Sequence, residues 1–567
     1  MNEDFRKSPP EALSAVPFNI PQTVAFELEN GLKAVVIEDR RFPTINIRVG
    51  FRFGDIDDPN DGTGVNSAMS SMLTEGTEHY SSRELAEKID SLGGSLSVGS
   101  GFDNTVLRAS MLSPHFSKMV GLMSEVLLRP TFPKKELELY KQNAIEGLKY
   151  QRSQPDFLAD EMVAATVYGD HPYGTNSPSE SQFGALKQDQ LVDSWRRGLV
   201  PNNALVVAVG DVSADELRAK LEEHFAGWKK GKEPEREFAD IPVYERRLMK
   251  IVDRPGSTQA NIVLSNIAIE RTSPDYFDFL LMNQVLGAGA SSRLFMNLRE
   301  EKGYTYGAYS RIYARRHAGA FEATSEVRSA VTGESLKEFF FELNRIRDDV
   351  VGEDELNDAK NFLAGVFPIR AETQGGLIGL VVSQLLQGLP EDYLETYRDR
   401  VRAVTAEDVQ RVARKYIHPE KVSVVIVGDA EDILDQVKSF ADEISVYDAF
   451  GNEKDFSGDQ DANVSEPVDI SGEWSVLVDA QGQELPVTIQ FKQTGTEITG
   501  KMQSMLGDGA IESGVVTGAK FSATVLSDFQ GQELALRMKG SKEGDSITGT
   551  LTVPMMPEPL SFTGTKK

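Results

Sequence analysis

The pattern of apolar and polar positions changes character along the chain. KAVVIED at 33–39 and INIRVGFRFGD at 45–55 alternate apolar and polar residues, as half-buried strands do. A helical repeat follows, in which Val65, Ala68, Met69, Met72 and Leu73 fall at i, i+3, i+4, i+7 and i+8. This is one apolar stripe of a helix that Gly76 is placed to end. The opposite stripe is Ser67, Ser70, Ser71 and Thr74, four small hydroxyls on a face that is either solvated or tightly packed. The same texture then returns. PNNALVVAVGD at 201–211 and PEKVSVVIVGD at 419–429 are offset by 218 residues, each an apolar strand preceded and followed by helix-like segments. A shared offset with a shared helix–strand–helix order predicts two copies of one domain.

Two stretches interrupt this pattern. KKGKEPEREFADIPVYER at 229–246 is charged and proline-bearing, and 449–468 is polar and acidic; both read as linkers. Beyond the second, WSVLVD, LPVTIQF, EITGKM, FSATVL, ELALRM and SITGTLTV alternate at short intervals between glycine-containing turns. That is an antiparallel meander, most simply a small β-barrel. The expected fold class is therefore α+β, with two tandem homologous α/β sandwich domains and a C-terminal all-β domain. The expected bounds are an N-terminal tail at 1–21, domains at 22–228 and 247–448, and the β domain at 469–567.

Composition narrows the function. The chain has 567 residues, 26% of them charged, and a formal net charge of −27. Such a balance repels phosphate backbones and anionic membrane surfaces, so no nucleic-acid partner is expected. With no cysteine, disulfides, thiolate metal sites and cysteine nucleophiles are all absent. No apolar run reaches the length of a membrane span; the nearest, GGLIGLVVSQLLQG at 375–388, is short and broken by polar residues. The first twenty residues lack the apolar core of a secretory signal. The expected location is cytoplasmic, or periplasmic if a leader has been removed.

GTGVNSAMSSMLTEGTEHYSSRELAEKIDSLGGSL at 62–96 resembles the active-site helix of the insulinase/pitrilysin metallopeptidases, with the pattern G-x-x-H-F-L-E-H-M-L-F-x-G-T. The stretch LRPTFPKKELELYKQNAIEGLKYQRSQPD and the GDHPYG turn at 169–174, a family signature as H-P-Y-G, extend the resemblance over about 22–445. It implies the two-domain sandwich of the mitochondrial processing peptidases. It also implies where zinc ligands would stand: the family's H-x-x-E-H falls on Ser67, Ser70 and Ser71, and its distal glutamate on Gly147. Zinc chemistry needs two imidazoles, a carboxylate and a glutamate base. The six histidines, His79, His115, His171, His224, His317 and His418, form no ligand pair by spacing, and His171 is expected to be structural. Nor does any G-x-S-x-G elbow support a serine nucleophile. No zinc is expected in this chain.

LGAGASSRLFMNLREEKGYTYGAYS at 286–310 resembles the family segment in which an arginine, and a tyrosine seven residues later, reach the substrate carbonyl from the half without zinc. The resemblance places these roles on Arg299 and Tyr306. Alone, the spacing equally fits an arginine in a surface ion pair and a core tyrosine. SLGGSLSVGSGFDNTVLRASM at 91–111 resembles the strand whose edge pairs with extended peptide, with Ser97 and Val98 where the family has Asn and Ala. Gly472-Glu473-Trp474 resembles the G-x-W opening of lipocalin- or streptavidin-like barrels. Together these imply a non-zinc subunit that forms a clamshell with a zinc-bearing partner and acts on unfolded peptide. A non-catalytic scaffold of the same fold is the alternative.

Overall fold

The structure is a computed structural model that describes residues 19–59, 62–232, 236–454, 467–480, 483–504, 507–529, 532–553 and 560–567. The chain divides into two compact units, one ending at Lys454 and one beginning at Asp455.

The first unit holds two mixed sheets that share a five-strand order and differ at one edge, where the first has an antiparallel strand and the second a parallel one. In one, β1 (Thr23–Glu27), β2 (Lys33–Glu38), β3 (Thr44–Phe51), β4 (Ser95–Ser100), β5 (Thr105–Leu112) and β6 (Ala204–Gly210) lie in the order β1-β2-β6-β3-β5-β4. The other contains β7 (Leu248–Asp253), β8 (Gln259–Ile267), β9 (Thr305–Tyr313), β10 (Ala320–Arg328), β11 (Ser423–Gly428), β12 (Glu443–Tyr447) and β13 (Glu453–Lys454). Its order is β13-β12-β7-β11-β8-β10-β9. The duplicated segments form β6 and β11, and each lies between a parallel neighbour (β2 or β7) and an antiparallel one (β3 or β8). Both strands are fully or almost fully buried, as strands covered on two faces must be.

The cover is exchanged between the halves. Helix Pro155–Tyr168 of the first half packs on β8 and β11, where Leu158, Val163 and Val167 share a core with Val263, Val425 and Val427. Helix Gln374–Gln387 of the second half packs on β3 and β6. There Gln374 Oε1 accepts from Thr44 Oγ1 and from Asn46 Nδ2, both at 3.0 Å. This helix is the apolar GLIGLVV run, and its apolarity is spent on Leu377, Ile378, Val381 and Val382, all buried. No described helix is long and apolar enough to cross a membrane.

Residues 236–244 run between the halves without helix or strand, pinned by side chains. Arg236 Nε bonds Asp57 at 2.7 Å, and Tyr244 donates to Thr166 O at 2.9 Å. β13 falls in the stretch the sequence suggests as a second linker, where Lys454 pairs with Asp253.

The second unit is a closed antiparallel barrel of eight strands. They are β14 (Gly472–Ala480), β15 (Gln483–Thr494), β16 (Glu497–Ser504), β17 (Gly507–Thr517), β18 (Lys520–Phe529), β19 (Gln532–Glu543), β20 (Ser546–Thr552) and β21 (Leu560–Lys566). β14 and β21 pair to close it, so no ladder is left open. Trp474, Val476 and Val478 alternate inward with Ile489, Phe491, Phe521, Val525 and Phe562. Trp474 is fully buried and donates its indole N–H to Ile470 O at 2.9 Å. It plugs the barrel, as a bulky interior residue in a small barrel does.

Candidate functional site

The helix Val65–Met72 begins at Gly64, whose φ of 85° only a glycine takes without strain. Asp58 caps it, accepting from Gly64 N at 2.6 Å and Asn66 N at 2.8 Å. Val65, Ala68, Met69 and Met72 are buried as the periodicity predicts. The hydroxyl stripe is committed to local bonds. Ser67 Oγ donates to both oxygens of Asp55, at 3.0 and 2.9 Å. Ser70 Oγ and Ser71 Oγ both bond back to Ser67 O, at 3.0 and 2.9 Å, the usual fate of a mid-helix serine. Gly147, on helix Lys134–Arg152, has open space where a side chain would stand.

These residues do not fit zinc: neutral hydroxyls are bound to a carboxylate and to main chain, and Gly147 offers no donor. Among the described residues no group of three or more His, Cys, Asp or Glu is arranged to hold a metal ion. What occupies the position instead is a hydroxyl–carboxyl cluster. Burial pushes the Asp55 carboxyl up, against hydrogen bonds from Ser67 and Ser100. Burial likewise pushes Asp58 up to about 7, opposed by the amide N–H of Asn66 and assisted by the charge on Asp55. Tyr140, which hydrogen-bonds Ser71, is pushed up to about 12 by burial and by Asp55. Neither aspartate belongs to a motif in the sequence, although an acid shortly before a helix start, as Asp58 is, is a capping signal.

The H-P-Y-G turn is structural. His171 is buried, and its Nδ1 accepts from Tyr173 N at 3.1 Å. Tyr173 donates to Asp103, and Arg315 stacks over Phe102 and Tyr173 at 4.3 and 4.7 Å. Although far apart in sequence, His171 and His317 both pack against Phe238, with ring centroids 4.9 and 5.0 Å away. Burial, with the neighbouring His317 and Arg315, pushes His171 down to about 4.

Ser97 and Val98 lie on β4, the outermost strand of its sheet, paired with Arg108 and Leu107 of β5 on the inner side. Ser97 is exposed, and Val98 packs partly against the core. The outer ladder of β4 has no strand partner among the described residues, the condition for adding a peptide strand.

Arg299 stands on a π-helical segment, Met296–Glu301, with its guanidinium paired to Glu300 and 5.1 Å over the Phe295 ring. Gly303, at φ 64°, then turns the chain into β9. Tyr306 is on that strand, the outermost of the second sheet and the topological equivalent of β4. Its side chain is 90% exposed, which removes the core-tyrosine reading. A large aromatic held in solvent on an edge strand packs nothing; its hydroxyl is free to meet another molecule.

Comparison with known proteins agrees with this picture. The family model described as Insulinase (Peptidase family M16) matches residues 33–177, and one described as Peptidase M16 inactive domain matches 185–363. The chain is 24% identical over 396 residues to the "Uncharacterized zinc protease YmxG" of Bacillus subtilis, covering 69% of this chain and 94% of that protein. It is 22% identical over 410 residues to the "Non-peptidase homolog YmxG" of Helicobacter pylori, covering 70% and 93%. A solved structure, the peptidase M16 inactive domain from Pseudomonas fluorescens, superposes with a TM-score of 0.67 at 27% identity, over 72% of this chain and 98% of that one. A protease from Helicobacter pylori shares the fold at TM-score 0.67 and 19% identity, over 72% and 99%.

Proposed function

The chain belongs to the insulinase family of metallopeptidases, as a member with hydroxyls and a glycine at the zinc-ligand positions, and we propose that it is the non-zinc subunit of a two-subunit peptidase. Its partner is a family member with H-x-x-E-H intact, closing with it around an unfolded peptide, and the hydrolytic chemistry belongs to that partner. This chain supplies two fixed donors to the substrate carbonyl: the Arg299 guanidinium and the Tyr306 phenol. A planar guanidinium and a phenolic O–H stabilise negative charge as it develops on a carbonyl oxygen. The outer edge of β4, at Ser97 and Val98, offers main-chain pairing to the extended peptide.

The observation that carries this reading is the 90% exposure of Tyr306 on an edge strand, seven residues from Arg299, in a chain whose own zinc positions are filled by serines and a glycine. A second reading, a scaffold without peptidase role, is favoured by the Arg299–Glu300 pair, which occupies the guanidinium. One experiment separates them. This protein and its zinc-bearing partner are desalted after exposure to zinc, then assayed alone and mixed with a quenched unstructured peptide. Complex formation is followed by size-exclusion chromatography. The proposal expects well under one zinc per chain here and cleavage raised severalfold on mixing. A complex with no gain in cleavage favours the scaffold; tight stoichiometric zinc in this chain overturns the subunit assignment.

A further inference from the structure

The turn that carries Arg299 is built around a buried amide. Asn297 is 6% exposed, and its Nδ2 donates to Glu342 Oε1 at 2.9 Å and Glu338 Oε2 at 3.0 Å, both on helix Thr332–Asp348. Glu342 is itself 2% exposed, with Arg345 Nη1 3.4 Å from its other oxygen. A buried carboxylate is costly unless it is hydrogen-bonded, so the amide and Glu342 hold each other in place. The main chain of Asn297 is tied as well: its carbonyl accepts from Lys302 N at 3.0 Å, closing the wide π turn. Tyr304 N then bonds Leu298 O at 3.0 Å. One residue thus anchors the turn by both side chain and backbone, and Arg299 lies between its two ends.

The neighbouring anchor is of the same kind. Arg293, 7% exposed, makes a two-pronged bond to Glu355, with Nε and Nη2 each 2.8 Å from a carboxylate oxygen. A π turn is a strained insertion that persists where surrounding structure holds it, and such turns concentrate at functional positions. Here Asn297 Oδ1 and Arg293 Nη1 are buried without a hydrogen-bond partner. A segment selected for stability alone would not leave both unsatisfied.

We infer that Asn297 is a positioning residue for Arg299: pinned between Glu338 and Glu342, it sets the π turn that fixes where the half-exposed guanidinium stands over Phe295. The inference rests on the role proposed above for Arg299.

The test is a double-mutant cycle in the mixed complex with the zinc-bearing partner, using the quenched unstructured peptide. Asn297→Ala should lower kcat about 10-fold to 100-fold with KM within about twofold, the scale of loss from about 1 Å of misplacement. In an Arg299→Ala background the same substitution should change kcat no further, because the group it positions is gone. Amide exchange of residues 298–304 should quicken in Asn297→Ala. If Asn297→Ala does not fold, Glu338→Ala, which removes one of the two acceptors, carries the same cycle. Full additivity with Arg299→Ala, or an unchanged kcat in the single variant, overturns the positioning role. An unchanged kcat in Arg299→Ala overturns the proposed function instead, and those results are distinct.

Discussion

Asp58 has the same capping task that a serine or asparagine performs elsewhere, but it performs it as a half-buried carboxyl raised to about 7. The consequence for stability has a definite sign. A carboxyl whose folded pKa lies above its unfolded value stabilises fully below the unfolded value near 4, and that contribution is lost as pH rises through about 7. Glu322, also raised to about 7 by burial and by Asp160, adds in the same direction. His171, pushed down to about 4, acts oppositely, since protonating it costs stability as pH falls below about 6.5. Comparing wild type with Asp58→Asn by denaturant unfolding isolates the first effect. Wild-type stability should fall relative to the variant between pH 4 and 7; parallel curves would contradict the account. The serines at the zinc positions were legible from sequence, because a motif substitution is visible residue by residue. Their partners were not. Asp55 lies twelve residues before Ser67, and nothing in the spacing says that a 3₁₀ turn at Asp55–Asp57 brings it under the helix.

At the scale of elements, the exchanged helices decide how the first unit fails. Ile378 is 1% exposed on helix Gln374–Gln387, which covers the sheet of the other half. Ile378→Ala should cost about 2–4 kcal/mol, a transfer loss plus a cavity. Residues up to 454 should still melt in a single transition, because neither sheet keeps its cover when the other half opens. For the same reason residues 19–232 alone should bind a hydrophobic dye and lack a cooperative transition. Two resolved transitions in that unit, or a stable first half, would contradict the exchange. The amphipathic pattern identifies which face of each helix is apolar, and the duplicated strands were readable as β6 and β11. Periodicity does not say which sheet a face meets. The apolar run at 375–388 therefore looks in the sequence like a near-miss membrane segment and is in fact the lid of the opposite sheet.

The whole molecule combines a peptidase-like body with a separate barrel, and each has its own core. Because the barrel closes its own hydrogen-bond ladder through the β14–β21 pair, residues 467–567 expressed alone should give a β-type circular dichroism spectrum and a cooperative thermal transition. Trp474→Ala, which empties the centre of that core, should lower its stability by about 3–5 kcal/mol. An unfolded fragment would make the barrel dependent on the body. The body's claim to function rests on one exposed side chain. Tyr306→Phe removes a hydroxyl and leaves the fold untouched, since the ring is 90% exposed. The decisive measurement is kcat of the mixed complex with this substitution, with assembly checked in parallel. Assembly should be intact and kcat should fall on the order of 10²-fold, about 3 kcal/mol of transition-state stabilisation. Wild-type turnover in a fully assembled Tyr306→Phe complex would contradict the role proposed for Tyr306.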